Sequence, residues 1–250
     1  MRKLLIAISF FTRIPITLKD VSEDEFYDSM ILMPLVGLLV GAVLVAAAWI
    51  FSFIHIPQLE ALLLLIVYIW FTGGLHLDGF ADTTDALFSA RDHDKMMEIM
   101  KDSRLGSFGA IGLILLFLTM WSCYTVVLPV YAPAVLLLPM VGRYCAIQAC
   151  CFSTYAQGGG GLGKRIVEMT KPYHVVIYIL LISLFAWFVV GKLAFFAFLA
   201  TAVLGLCLMF YLQKKIGGMT GDTIGMTIEL TQALYLVSLA VILANWPSLL

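Results

Sequence analysis

Charge is scarce in this chain. Only 12% of its 250 residues are Asp, Glu, Lys or Arg, whereas 62% are hydrophobic. An ordinary soluble domain carries about 25% charged and about 45–50% apolar residues. A soluble core cannot absorb that excess, so the pattern is that of an all-α polytopic integral membrane protein. The net charge of −1 supplies no global basic field, and no nucleic-acid partner is expected. The five cysteines (Cys123, Cys145, Cys150, Cys151, Cys207) all lie in apolar runs without metal-type spacing and imply no disulfide framework. No cleavable leader is expected either. Met1 to Phe11 begins like a signal peptide, then meets Arg13 and Pro15 with no small-residue cleavage site, which predicts a short interfacial or re-entrant helix.

What is present is a series of apolar runs of membrane-crossing length, about 20 residues each. They fall at about Ile31–Ile54, Leu59–Leu75, Gly109–Leu128, Ala134–Phe152, Tyr173–Val190, Leu193–Leu212 and Thr231–Trp246. The charge-free stretch from Leu105 to Gly142 is too long for one crossing, and Pro129 and Pro133 divide it. About seven transmembrane helices are therefore expected, within a range of six to eight, in a single membrane-embedded catalytic domain covering 1–250. With the N-terminus inside, thirteen of the fifteen Lys and Arg residues fall on the cytoplasmic side. Only Lys192 lies outside, and Arg143 lies within the fourth run. The polar chemistry is thus expected at the cytoplasmic face. Met96, Met97, Ile99 and Met100 predict an amphipathic helix on the cytoplasmic membrane surface.

The most informative segment is Gly73-Gly74-Leu75-His76-Leu77-Asp78-Gly79-Phe80-Ala81-Asp82-Thr83-Thr84-Asp85. If the preceding helix continues, Asp78, Asp82 and Asp85 stand at i, i+4 and i+7 on one face. Carboxylates stacked this way repel one another, and a cation offsets the repulsion. A second segment, Gly217-Gly218-Met219-Thr220-Gly221-Asp222 to Glu229, pairs glycines that admit a close phosphate with two acids at i and i+7. Its bland alternative is a loop with a helix N-cap at Asp222.

Arg104 at the mouth of the third run suits either a phosphate contact or a topology anchor. Arg143, an intramembrane cation, calls for a cavity or an acidic partner, with a structural pair as the alternative. Gly158 to Arg165 looks like a phosphate loop but has Arg165 where Ser or Thr belongs, so a mobile loop over the site is expected instead. His76 reads as a hydrogen-bonding neighbour. Clustered carboxylates with a divalent metal suit phosphoryl or nucleotidyl transfer, and one left free of metal can accept a hydroxyl proton.

Phe10-Phe11-Thr12-Arg13-Ile14-Pro15, Pro34-Leu35-Val36-Gly37, the aspartate segment through Asp92, Glu98 to Gly109 and Gly217 to Leu230 together resemble the adenosylcobinamide-GDP ribazoletransferase family, also called cobalamin 5′-phosphate synthase. Ala86 and Met226 stand where that family often has glycine and alanine, and neither removes a polar group. The resemblance implies a Mg²⁺-dependent enzyme of the bacterial or archaeal cytoplasmic membrane. It would join adenosylcobinamide-GDP to α-ribazole or its 5′-phosphate and release GMP, with membrane lipid around it and an oligomer open. Carried onto this chain, Asp78 and Asp82 are the expected central metal ligands, completed by Asp85 and Asp222. Glu229 is the candidate base or outer ligand, so that Asp78, Asp82 and Glu229 form the catalytic set. Arg104, Arg143, Gly218, Thr220 and Gly221 are the candidate phosphate contacts.

Two rivals fare worse. A CDP-alcohol phosphotransferase needs an arginine where Asp82 stands. A cation transporter would place its acids near the bilayer midplane on broken helices in related halves.

Overall fold

Two consecutive glycines interrupt the second apolar run. Gly73 and Gly74 both take left-handed backbone angles, φ +70° and +68°, which glycine adopts freely and residues with a Cβ do not. In the computed structural model, which describes residues 1–156 and 161–249, one helix ends at Thr72 and another starts at Leu75, bent 99° from the first. The aspartate stripe thus lies on a separate helix and not on a continuation of the span.

The chain opens with α1 (Arg2–Phe11), α2 (Glu23–Met30) and the long apolar α3 (Met33–Phe51). The bent pair follows as α4 (Pro57–Thr72) and α5 (Leu75–Phe88), then the short α6 (His93–Ile99). Next, α7 (Ser107–Tyr131) passes through a 3₁₀ segment, Ala132–Leu137, into α8 (Leu138–Phe152). After them come α9 (Leu162–Met169), α10 (Pro172–Phe185), α11 (Lys192–Ile216) and α12 (Gly221–Asn245). Among the described residues there is no strand, only one isolated parallel bridge between Tyr155 and Met219. Five helical stretches are long and apolar enough to cross a bilayer, or six if the bent pair is one span. The protein is an all-helical, multi-pass membrane protein.

The helix at the centre is α12, which packs on α5, α7, α8 and α11. On α3, Gly37 and Gly41 stand one turn apart, and a Cβ at Gly37 would lie 2.5 Å from the Pro139 carbonyl. Small residues in that pattern let two membrane helices approach closely. The starts of α7 and α12 and the ends of α4 and α11 share one end of the bundle with α5, α6 and α9.

Several boundaries differ from those the sequence suggests. Pro129 does not end α7, which continues to Tyr131. The last span begins at Gly221, not near Thr231, because Thr220 caps it. The expected surface helix is α6, and its Met96 and Met97 are buried against the protein core. Its His93 Nε2 lies 2.9 Å from the Ile216 carbonyl at the end of α11. The first helix, α1, is only ten residues long and packs on α2 and α3.

Candidate active site

Asp78 on α5 and Asp222 on α12 open onto one cleft of about 150 Å³. They meet because α5 and α12 touch at backbone level there: a Cβ on Gly79 would lie 2.8 Å from both Cα and the carbonyl oxygen of Asp222. Asp82 follows one turn after Asp78 and faces a second, more open cleft of about 400 Å³ with Asp102 and Arg104. Asp82 feels the like charges of Asp78, Asp222, Asp85 and Asp102. No hydrogen bond or ion pair among the described residues engages the carboxylates of Asp78 or Asp82.

Asp85, the third member of the stripe, is placed differently. It is buried, and its two oxygens accept the N–H groups of Gly106 (2.8 Å) and Gly109 (2.9 Å). These are donors of the first turn of α7, which has no intrahelical partner for them. Asp85 therefore caps α7 from outside instead of standing with the open carboxylates. Arg104 is exposed and paired to Asp102, with Nη2 at 2.6 Å from Oδ2. Its hydrogen bonds hold the Asp102 carboxyl down at about 2, so the pair stays ionised throughout the neutral range.

The glycine-rich segment divides in the same way. A Cβ on Gly218 would strike the Thr154 carbonyl, and the backbone beside it bonds to that strand-like stretch through Met219 N–H to Thr154 O (2.8 Å). Thr220 is buried, and its hydroxyl accepts the Thr223 N–H while the Thr223 hydroxyl accepts the Thr220 N–H. Both residues build the start of α12. Gly221 alone of the three is exposed, with open space where a side chain would stand, and it lines the cleft. Of the segment Gly158 to Arg165, expected as a mobile loop over the site, residues 158–160 lie outside the described residues, and from Leu162 onward it is the helix α9 rather than loop.

Glu229 and Arg143 do not reach the cleft. Both are buried, at 1% and 0% exposure, beneath His76 and Phe11. Tyr68 donates to Glu229 Oε1 (2.7 Å), Gln232 donates to the Tyr68 hydroxyl (2.8 Å), and His76 Nδ1 lies 3.8 Å from Glu229. Arg143 donates to the Pro139 carbonyl (3.1 Å), its charge acting on Tyr68 and Glu229 without a direct ion pair. Nε and Nη2 of Arg143 and Oε2 of Glu229 have no hydrogen-bond partner among the described residues. The expected phosphate contact and the expected base are thus parts of an internal polar network joining α4, α5, α8 and α12. Tyr68 and Gln232 gave no signal as single polar groups in apolar runs. His76 was visible, as the residue two before Asp78.

The donor chemistry fits Mg²⁺. Asp78, Asp82 and Asp222 offer hard oxygen ligands, and a divalent ion relieves their mutual repulsion. No group of three or more His, Cys, Asp or Glu among the described residues is drawn close enough to form a cage. Magnesium needs none: it is commonly held by one or two carboxylates, with water and substrate phosphate filling its octahedron.

The model of the family described as cobalamin-5-phosphate synthase matches residues 3–240. The chain belongs to that family. Relatives named adenosylcobinamide-GDP ribazoletransferase include one from Clostridium acetobutylicum, 33% identical with 97% of each chain covered. Another, from Alkaliphilus oremlandii, is 38% identical over 95% of this chain and 96% of its own. A third, from Caldanaerobacter subterraneus, is 35% identical over 97% and 99%. No solved structure matches. Membership accounts for the order of the polar segments along the chain.

Proposed function

We propose that this chain is an adenosylcobinamide-GDP ribazoletransferase of the cytoplasmic membrane, acting at the cytoplasmic end of its helix bundle with Mg²⁺. The observation that carries the reading is the pair of facing acids, Asp78 and Asp222, with Asp82 one turn along from Asp78, in a chain of this family.

A hydroxyl of α-ribazole, or of its 5′-phosphate, attacks the phosphorus that is bonded to cobinamide. A new O–P bond forms, the pyrophosphate P–O bond breaks, and GMP leaves with that oxygen. Asp78 and Asp82 would hold Mg²⁺, which when bound neutralises phosphate charge and steadies the leaving group. Asp222, on the opposite wall, takes the hydroxyl proton on a carboxylate oxygen. Arg104 swings from Asp102 to a phosphate oxygen; an exposed ion pair is worth only about 0–1 kcal/mol, so the exchange is cheap. Asp85 keeps α5 seated on α7, and Glu229 with Arg143 keeps the floor of the cleft in place.

The test is purified protein in detergent given adenosylcobinamide-GDP, α-ribazole and Mg²⁺, with GMP followed by chromatography. GMP release that depends on Mg²⁺ and disappears in Asp78→Ala is expected. Full activity in that variant would overturn the reading.

A further inference from the structure

We infer that the small cleft beside Asp78 and Asp222 is the subsite for the aromatic base of the acceptor nucleoside, an inference that rests on the transferase reading above. Pockets that enclose a drug-sized molecule begin at about 300 Å³. At about 150 Å³ this cleft takes a fused two-ring base and is far too small for a corrin macrocycle. Its walls come from Phe10 and Phe11 on α1, Leu162 and Ile166 on α9, and Ile224 and Ile228 on α12. The Phe10 and Phe11 rings meet edge to face at 4.9 Å, and Phe11 lies tilted 5.7 Å from the His76 ring. Such a wall offers a flat ring both edges and faces.

Two bases compete for it, that of the acceptor and the guanine of the leaving nucleotide. Connectivity separates them. The acceptor's base is one sugar away from the attacking hydroxyl, whereas guanine is a phosphate and a sugar away from the phosphorus under attack. A subsite that ends directly on the reacting carboxylates therefore belongs to the acceptor. Polarity agrees. With Asp78 and Asp222 engaged at the reaction, His76 is the one polar side chain left among the described lining residues. Guanine carries polar groups around most of its edge, and each buried without a partner costs about 1–3 kcal/mol. A ribazole-type base presents a single ring nitrogen, which one histidine satisfies. His76 itself is buried, with Nδ1 turned back to 3.8 Å from Glu229, which leaves Nε2, without a hydrogen bond among the described residues, as the ring nitrogen for the base.

Leu162→Trp, on the partly exposed edge of the cleft, fills it without touching the carboxylates. We expect the KM for α-ribazole to rise about tenfold and that for adenosylcobinamide-GDP to stay within about twofold. Phe11→Leu should shift acceptor preference toward bulkier bases, and a melting curve confirms that each variant folds. Equilibrium dialysis of α-ribazole alone, without the activated substrate, gives the same comparison independently of turnover. Weaker dialysis binding by Leu162→Trp supports the subsite even if no GMP is released, in which case the transferase reading fails by itself. A rise confined to the KM of adenosylcobinamide-GDP assigns the cleft to guanine and overturns the proposal. Unchanged values for both substrates, with unchanged dialysis, overturn it as well.

Discussion

Asp78, Asp82 and Asp85 are the same side chain three times on one helical face, yet their surroundings give them different work. Asp85 accepts two backbone N–H groups of α7 while buried. A hydrogen bond to a charged group contributes about 1.5–3 kcal/mol, so Asp85→Ala should lower the unfolding free energy in detergent by roughly 3 kcal/mol. Asp82 instead stands among four other acids. Asp82→Asn removes repulsion, and we expect an equal or higher melting temperature than wild type without Mg²⁺, together with lost GMP release. Adding Mg²⁺ should raise the melting temperature of wild type by mass action and leave Asp82→Asn unmoved; a similar rise in that variant would remove Asp82 from the metal site. Spacing alone made the three aspartates equivalent. The partner of Asp85 is 21 residues further along the chain, a distance at which sequence pattern carries no information. Arg104 was legible as a cation at the mouth of the third run, but its pairing with Asp102, two residues away, was not read from the sequence.

At the level of elements, the apolar runs located most of the long helices, because hydrophobic length is a one-dimensional property. The breaks were harder. Gly73-Gly74 is a plain pair of glycines until the left-handed angles of both are seen, and the resulting 99° bend is what turns α5 across the end of α12. The start of α12 was missed by about three turns, since Thr220 and Thr223 cap each other inside a segment rich in glycine, which looks like loop. The crossing they create is tight. Gly79→Ala would place a methyl group against the Asp222 backbone, which cannot rotate away as a side chain could. Overpacking of this kind costs about 1–3 kcal/mol. Because the displaced atoms carry Asp222 itself, kcat should fall more than stability does. A Gly79→Ala protein with wild-type kcat would show that the α5–α12 spacing is not critical to the chemistry.

For the whole molecule, two features bind the bundle into one unit: an internal charge network and the direction in which the helices cross the bilayer. Arg143 and Glu229 are both fully buried, and the arginine's charge acts on the glutamate without a direct ion pair. Removing one of two opposite buried charges leaves the other uncompensated, which costs up to about 3–5 kcal/mol where the two are directly paired, whereas replacing both by neutral groups costs much less. Arg143→Met should therefore be strongly destabilising, and Arg143→Met with Glu229→Gln should recover much of the loss in a double-mutant cycle. Additive losses would mean that the two charges do not act on each other. The crossing count follows from length. Ser107–Phe152 spans 46 residues, which as one helix would reach about 70 Å at 1.5 Å per residue, over twice the roughly 30 Å hydrocarbon core. We propose that it doubles back near the 3₁₀ segment; with the bent pair taken as one span, that would give the seven crossings expected from the sequence. On that proposal the two termini lie on opposite sides, with the N-terminus inside as the distribution of basic residues leads one to expect. Alkaline phosphatase fused after Asn245 should then be active, and green fluorescent protein fused after Lys215 should fluoresce. The reverse pattern would place Asp78 and Asp222 on the outer face, away from the cytoplasmic nucleotide pool that the proposed reaction draws on.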